Sequence, residues 1–293
     1  MQFRSKLAGG DGSFLSRLDV KPKNKHFFRN QAHQAIGRAR GFLESGDIND
    51  CRNAALELRM AIEFLTYDRL MAYSKELPSE TYETWQPRKV LQLLLDIDPL
   101  ADKSCSISFA KESSPGVQAE EMQFLGEETA LDLNTIRENY DALGSFLHAP
   151  TIKQIDEKGL PDLEGLRTRC LKLASDIEDV LSSSIFNVTI GQFTEFDCQR
   201  CGKTVRRRLP SDTATIDAKC LNCGAPYNIY QKDGGAFWRP SQKTVPCPAA
   251  ECDAEIDLWV DRIEPGVDVQ CDTCKTNFKI GLALFTEGNT DDG

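Results

Sequence analysis

Cys198-Gln-Arg-Cys201 and, after eighteen intervening residues, Cys220-Leu-Asn-Cys223 open the stretch that decides the fold. Cys247-Pro-Ala-Ala-Glu-Cys252 follows and, again after eighteen residues, Cys271-Asp-Thr-Cys274. Eight of the eleven cysteines therefore stand in two sets of four, each set built from two close pairs. Two ligands from each of two short loops is the spacing of a tetrahedral thiolate site, and Zn2+ is the usual ion in it. Thiolate tetrads also accept iron. Four cysteines close the coordination shell, so the expected cofactor is two structural Zn2+ ions with no open position for catalysis. The alternative is a disulfide cluster in a secreted protein. Against it, Met1-Gln-Phe-Arg-Ser-Lys-Leu-Ala-Gly-Gly10 lacks the apolar core of a signal peptide. The metal spacing and three further cysteines, Cys51, Cys105 and Cys170, fit a reducing cytoplasm.

The two sets are copies of one unit. A shift of 51 residues lays Cys201, Cys220 and Cys223 on Cys252, Cys271 and Cys274. It also lays Val205 on Ile256, Ile216 on Val267, Ala218 on Val269, Tyr227 on Phe278 and Ile229 on Ile280. Apolar residues at alternate positions beside the second pair are strand-period, and the repeat argues for two similar modules. A module of about 40 residues buries too little apolar surface to fold alone. Four thiolates on one ion supply the deficit, roughly 10–16 kcal/mol apparent in small zinc peptides. Gly202 and Gly224, directly after Cys201 and Cys223, permit the left-handed turn that aims backbone amides at sulfur. Residues 194–284 resemble a tandem of zinc ribbons, which implies metal and fold but no particular activity.

Charge separates the two copies. The first carries Arg200, Lys203, Arg206, Arg207, Arg208 and Lys219; the second carries Glu251, Asp253, Glu255, Asp257, Asp261, Glu264, Asp268 and Asp272. Arg200, Lys203 and Arg206–Arg208 are therefore the candidate nucleic-acid contacts, each phosphate contact adding a salt-dependent increment. The competing explanation is a solvated strand, or one docked on an acidic surface of the same protein. The acidic copy suits a scaffold or a protein-docking surface that uses an exposed Trp259.

The 293 residues exceed one typical domain; they are 40% hydrophobic and 27% charged with a net charge of −10, the profile of a soluble globular protein. The longest apolar run, Val90-Leu-Gln-Leu-Leu-Leu95, is far short of a membrane span, so no membrane partner is expected. Periodicity places the domains at 1–24 (a loose arm), 25–184 (an α-helical bundle), 185–236 and 237–284 (the two metal modules) and 285–293 (a disordered tail). The fold class is thus α+β and multidomain, a helical bundle followed by two small β modules.

Five helices are expected in the bundle. The first spans about Lys25–Ser45 with His26 and His33 in structural roles, and the second about Asp50–Lys75 with Arg59 and Glu63 one turn apart. The third opens at Trp85-Gln86-Pro87. The fourth runs from a cap at Asp132 to Leu147, ahead of His148. The last starts at Pro161, with Asp162 and Glu164 in its first turn. Its residues Leu163, Leu166, Cys170, Leu173, Ile177 and Val180 are spaced 3, 4, 3, 4, 3, a seam for packing on the bundle or for a homodimer. Short strands are expected at Ser104–Phe109 and Phe186–Ile190, and a turn at Ser113-Ser114-Pro115-Gly116.

Leu56-Glu-Leu-Arg59-Met-Ala-Ile-Glu63-Phe64 and Asn139-Tyr-Asp-Ala-Leu-Gly-Ser-Phe-Leu-His148 resemble the HEPN-like helical domains of prokaryotic conflict and defence proteins. The resemblance covers about 25–182. It implies a bacterial stress or phage-defence setting and, in active members, a metal-independent ribonuclease whose paired Arg-polar-x-x-x-His motifs meet across a dimer. Here the arginine nearest before His148 is Arg137, eleven positions upstream and farther than that motif places it. What the resemblance then favours is a buried polar cluster of Arg59, Glu63 and His148. The functional expectation is recognition of a partner protein, RNA or DNA. The alternative is a ribonuclease with His148 as acid/base and Arg59 or Arg137 on phosphate.

Overall fold

The computed structural model describes residues 26–74, 77, 86–114, 117, 121–209, 215–232 and 235–282. The expected arm (1–24), the tail (285–293), Trp85 and the Pro115-Gly116 turn lie outside the described residues. The chain forms two units, one of residues 1–95 and 99–190, the other of 96–98 and 191–293.

The first unit contains α1 (Phe27–Glu44), α2 (Asp50–Ala72), α3 (Pro87–Ile97, whose last residues group with the second unit), β1 (Cys105–Phe109), β2 (Gln123–Glu128), α4 (Leu133–Ser145), α5 (Ile152–Lys158) and α6 (Leu163–Ser182). α1 and α2 lie close because the residues between them are small. Ala32, Ala35 and Ala39 on one helix and Ala54, Ala55 and Ala61 on the other are fully buried. Leu58, Ile62 and Leu65 continue the α2 stripe, whereas Met60, Phe64, Tyr67 and Met71 are half-buried. α6 packs most of its seam inward: Leu166, Cys170, Leu173, Ile177 and Val180 are buried, with Ala174 beside them, while Leu163 at the start of the helix is half-buried.

Helix boundaries follow local chemistry. Asp132 caps α4 by accepting from the amides of Asn134 and Thr135. α6 begins two residues later than Pro161, with Asp162 as its cap accepting from Gly165 N. The sixth helix, α5, has no counterpart among the five expected from periodicity. It is about two turns held by a capping box, Thr151 Oγ1 accepting from Gln154 N while the Gln154 side chain accepts from Thr151 N. Its apolar face is not covered within the described residues, and Ile152 is 81% exposed, so no burial pattern marks it. β2 also escapes the sequence pattern. It pairs antiparallel with β1 through a register shift between Ile107 and Ser108, which breaks the alternation.

The expected strand at Phe186–Ile190 does not form. Asn187 takes a left-handed conformation (φ 58), and the chain there is held by side chains instead. Glu128 accepts from the amides of Asn187 (2.6 Å) and Val188 (3.1 Å) and from Arg69 Nη1 (3.1 Å). Asn187 Nδ2 donates to Asp68 (2.9 Å). Arg29 lies 3.7 Å from Asp68, donates to the carbonyls of Val180 and Leu181 at the end of α6, and stacks on Phe186. Arg29, Asp68 and Glu128 are each under 8% exposed and line a cavity of about 50 Å³. Two cations and two carboxylates balance there, so each charge is desolvated beside a partner.

The second unit holds two hairpin pairs. β3 (Phe193–Asp197) pairs with β4 (Thr204–Arg208), and β5 (Thr215–Lys219), β6 (Pro226–Lys232) and β7 (Gly235–Pro240) form an antiparallel sheet. β8 (Gln242–Pro246) pairs with β9 (Glu255–Trp259), and β10 (Asp268–Gln270) with β11 (Asn277–Lys279). β7 extends the first module's sheet through Pro240, four residues beyond the expected limit at 236. The repeat is visible in three dimensions: Val205 and Ile256, and Tyr227 and Phe278, occupy matching strands.

Candidate metal centres

Each hairpin presents two cysteines and each hairpin pair four. In the first module, the β3–β4 turn carries Cys198 and Cys201, and Cys220 and Cys223 follow β5. Gly202 (φ 67) and Gly224 (φ 74) take the left-handed conformation expected of them. Their amides donate to the carbonyls of Cys198 and Cys220, both at 2.8 Å, closing each knuckle. In the second module Lys275 (φ 60) stands where Gly224 stands in the first and adopts the same turn, its amide bonded to Cys271 O at 2.9 Å.

The four Sγ atoms of Cys198, Cys201, Cys220 and Cys223 lie within 4.8 Å of one another, as do those of Cys247, Cys252, Cys271 and Cys274. The contacts Cys198–Cys223 and Cys201–Cys220 are 3.6 Å, Cys247–Cys274 is 3.7 Å and Cys252–Cys271 is 3.9 Å. An ion bound by four thiolates at about 2.3 Å needs edges of about 3.8 Å. A disulfide would need about 2.05 Å, and all eleven cysteines are free. The donor sets therefore fit a tetrahedral ion and exclude the disulfide alternative.

Hydrogen bonds to sulfur complete the first centre. Tyr227 Oη donates to Cys198 Sγ at 3.2 Å and accepts from Gln199 N at 2.8 Å. Asn222 Nδ2 approaches Cys201 Sγ at 3.6 Å. Burial alone would raise the Cys198 pKa, but the Tyr227 hydroxyl and the amides of Cys201 and Arg200 outweigh it and bring it to about 6. In the second centre the Thr276 hydroxyl is 3.3 Å from Cys274 Sγ, and this contact with the Thr276 amide lowers the Cys274 pKa to about 6. The Cys271 thiol of the same centre is lowered as well, chiefly by the Cys274 amide. Tyr227→Phe removes the hydroxyl and keeps the ring, as Phe278 does in the second module. It is expected to leave the fold intact and weaken the first site's Zn2+ affinity about 10- to 100-fold, read by competition with a chromophoric chelator. Equal affinity in mutant and wild type would show that the hydroxyl does not support the ligand.

The two modules are joined by contacts absent from the sequence pattern. Arg200 makes a two-pronged ion pair with Asp261 (2.9 and 2.6 Å) and stacks on Trp259 at 4.3 Å. Trp259 is half-buried rather than exposed, because its ring meets Tyr227 (5.6 Å, 72°) in the aromatic cluster of Phe196, Tyr227 and Trp238. Ser241, the single residue between β7 and β8, donates its amide to Pro226 O and accepts from Val260 N. Trp259, expected to be exposed, is thus packed in part against the first module.

Of the candidate nucleic-acid residues, only Lys203 is exposed. Arg200 is held by Asp261. Arg206 stacks on Phe193 at 4.5 Å, and Arg208 pairs with Asp98, which is fully buried, at 2.9 Å. Burial lowers the Arg207 pKa, opposed by Asp96 and Asp98. Three consecutive cations read as a phosphate patch; on the strand they are half-buried.

Of the catalytic candidates, Arg59 and Glu63 meet in one cluster, whereas His148 and Arg137 stand apart from it. Arg59 Nη1 donates to Tyr140 O at 2.7 Å and its guanidinium stacks on the Tyr140 ring at 3.9 Å, while Tyr140 Oη donates to Glu63. Gly144 makes room for this, since a Cβ there would lie 1.9 Å from Arg59 Nη1. Tyr140, not His148, completes the polar cluster. His148 is exposed beyond α4 and makes no hydrogen bond or ion pair among the described residues. Arg137 lines a separate hollow of about 470 Å³ with Arg88, Asn134, Glu138 and Asp141. Among the described residues no helix is long and apolar enough to cross a membrane.

The second unit therefore defines a class: a chain with two four-cysteine clusters at metal-binding distance, compatible with zinc ribbons, following a helical unit. No family model matches the chain, and neither a curated protein nor a solved structure matches it.

Proposed function

We propose that this is a zinc-dependent recognition protein, whose two ribbons hold Zn2+ structurally and present a surface to a partner macromolecule. The observation that carries the reading is the pair of four-sulfur clusters, with contacts of 3.6–3.9 Å and no ligand position left for substrate. Zn2+ is preferred to iron because it has no redox chemistry to support and takes tetrahedral thiolates in closed structural sites. A bacterial stress or phage-defence setting is supported by the helical motifs alone. Elemental analysis of the purified chain is expected to give two zinc ions per chain that survive gel filtration. One ion, none, or the visible absorption of iron–thiolate would overturn it.

A further inference from the structure

The outer face of the β5–β6–β7 sheet carries groups that the metal sites do not use. Alternate residues of a strand share a face. Ile216, Ala218, Tyr227 and Ile229 point to the ribbon core with Trp238 against them. The opposite face therefore carries Asn228, Tyr230 and Lys232 on β6 and Phe237 and Arg239 on β7. The register sets Tyr230 directly opposite Phe237, and Asn228 opposite Arg239. Phe237 is 54% exposed, and its ring packs over Gly235, where even a Cβ would lie 3.5 Å away. The Arg239 guanidinium is 5.3 Å from the Tyr230 ring centre. Arg239 and Lys232 are exposed, and among the described residues neither is ion-paired. The carboxylate of this face, Asp217, is turned away from them by Asn228 Nδ2 (2.8 Å), which Ser241 braces in turn (2.9 Å).

We propose that this face binds single-stranded nucleic acid, with bases stacked on Phe237 and Tyr230 and the backbone met by Arg239 and Lys232. Two neighbouring rings flanked by cations, on a chain of net charge −10, mark a local anion-binding patch and not a general one. Base faces are open for stacking only in single strands, and stacking is indifferent to sequence. Duplex grooves offer such a flat surface nothing to stack on. The second ribbon has no counterpart: Gly281 falls where Tyr230 stands, and β10–β11 is a two-stranded sheet. The inference rests on the ribbon reading above and moves the nucleic-acid contact from the engaged arginines of β4 to the outer face of the neighbouring sheet.

The test is fluorescence anisotropy of the full chain with labelled oligo(U), oligo(dT) and a duplex of equal length, with zinc measured on the same samples. Single strands are expected to bind more tightly than duplex, and the RNA and DNA arms show which sugar is preferred. Phe237→Ala and Tyr230→Ala are each expected to weaken binding about tenfold. Arg239→Ala and Lys232→Ala are expected each to lower the slope of log affinity against log salt by about 0.7. Zinc-replete protein that binds neither single strand, or binds them equally well as Phe237→Ala/Tyr230→Ala, overturns the proposal; capture of a protein that those two substitutions abolish would assign the face to protein docking and also overturn it. Missing zinc in the wild type would instead count against the ribbon reading, so the two failures are separable.

Discussion

Replacing Cys271 with serine is expected to unfold the second ribbon and release one of two metal ions. The buried core of that ribbon consists of Cys247, Ile256 and Cys271, so two of its three buried residues are themselves ligands. The rest, Val245, Ala249, Cys252, Ala254, Leu258, Val269 and Phe278, are only partly buried. Burial of a single isoleucine contributes about 1.5–3 kcal/mol, far below the ordering entropy of some 40 residues. The roughly 10–16 kcal/mol of apparent zinc binding therefore carries the fold. Cys220→Ser in the first ribbon removes its ion too, but a core of Phe196, Val205, Ile216, Ala218, Tyr227 and Ile229 remains. Chelator titration should thus unfold the second ribbon before the first, followed by the fluorescence of Trp259 and Trp238. A Cys271→Ser protein that keeps two ions, or keeps its β8–β11 amides protected from hydrogen exchange, would sink this account.

Glu128→Ala is expected to destabilise the helical unit by about 3–5 kcal/mol, the cost of breaking a buried ion pair from one side. The substitution leaves Arg69, which is 11% exposed at its side chain, with the Ala101 carbonyl and the Tyr73 ring for company. It also strips acceptors from the amides of Asn187 and Val188. Glu128→Gln keeps an acceptor and loses the charge, so its effect should be smaller. Denaturant unfolding followed at a helix-sensitive circular-dichroism wavelength measures both, with the helical transition separated from the ribbons by metal-saturating conditions. A loss below about 1 kcal/mol in Glu128→Ala, the size of an ordinary exposed pair, would mean that water satisfies these groups and the network is dispensable.

Core size also decides how much of each unit is legible in the chain. A ribbon with almost no core has to announce its ligands in the chain, because close cysteine pairs are the only way to place two thiolates in one tight turn. The eight cysteines, the 51-residue repeat and the left-handed glycines follow from that local constraint. The helices of the first unit are legible where a single face is buried, as in α1, α4 and α6. They are not legible in α5, whose Ile152 and Ile155 remain exposed and whose stability is a capping box. In the metal centres the residue that sequence reasoning misses is Tyr227; its only sequence signal is a hydroxyl in place of the phenyl at Phe278. For the β5–β7 face the signal is the alternation of Phe237, Trp238 and Arg239.

By itself the sequence determined the α+β organisation, the two thiolate tetrads and the 51-residue repeat that copies one into the other. These depend on neighbours a few residues apart, or on a repeat that copies them. Only the tertiary structure decided which charges are free. Arg29, Asp68, Arg69, Glu128 and Asn187 are far apart in the chain and meet in one buried network. Arg200 and Arg208 are taken by Asp261 and Asp98, and Trp259 is taken by the first ribbon. A side chain's charge is written in the chain, but its solvation is set by what packs against it, and desolvation settles whether an arginine can still meet a ligand.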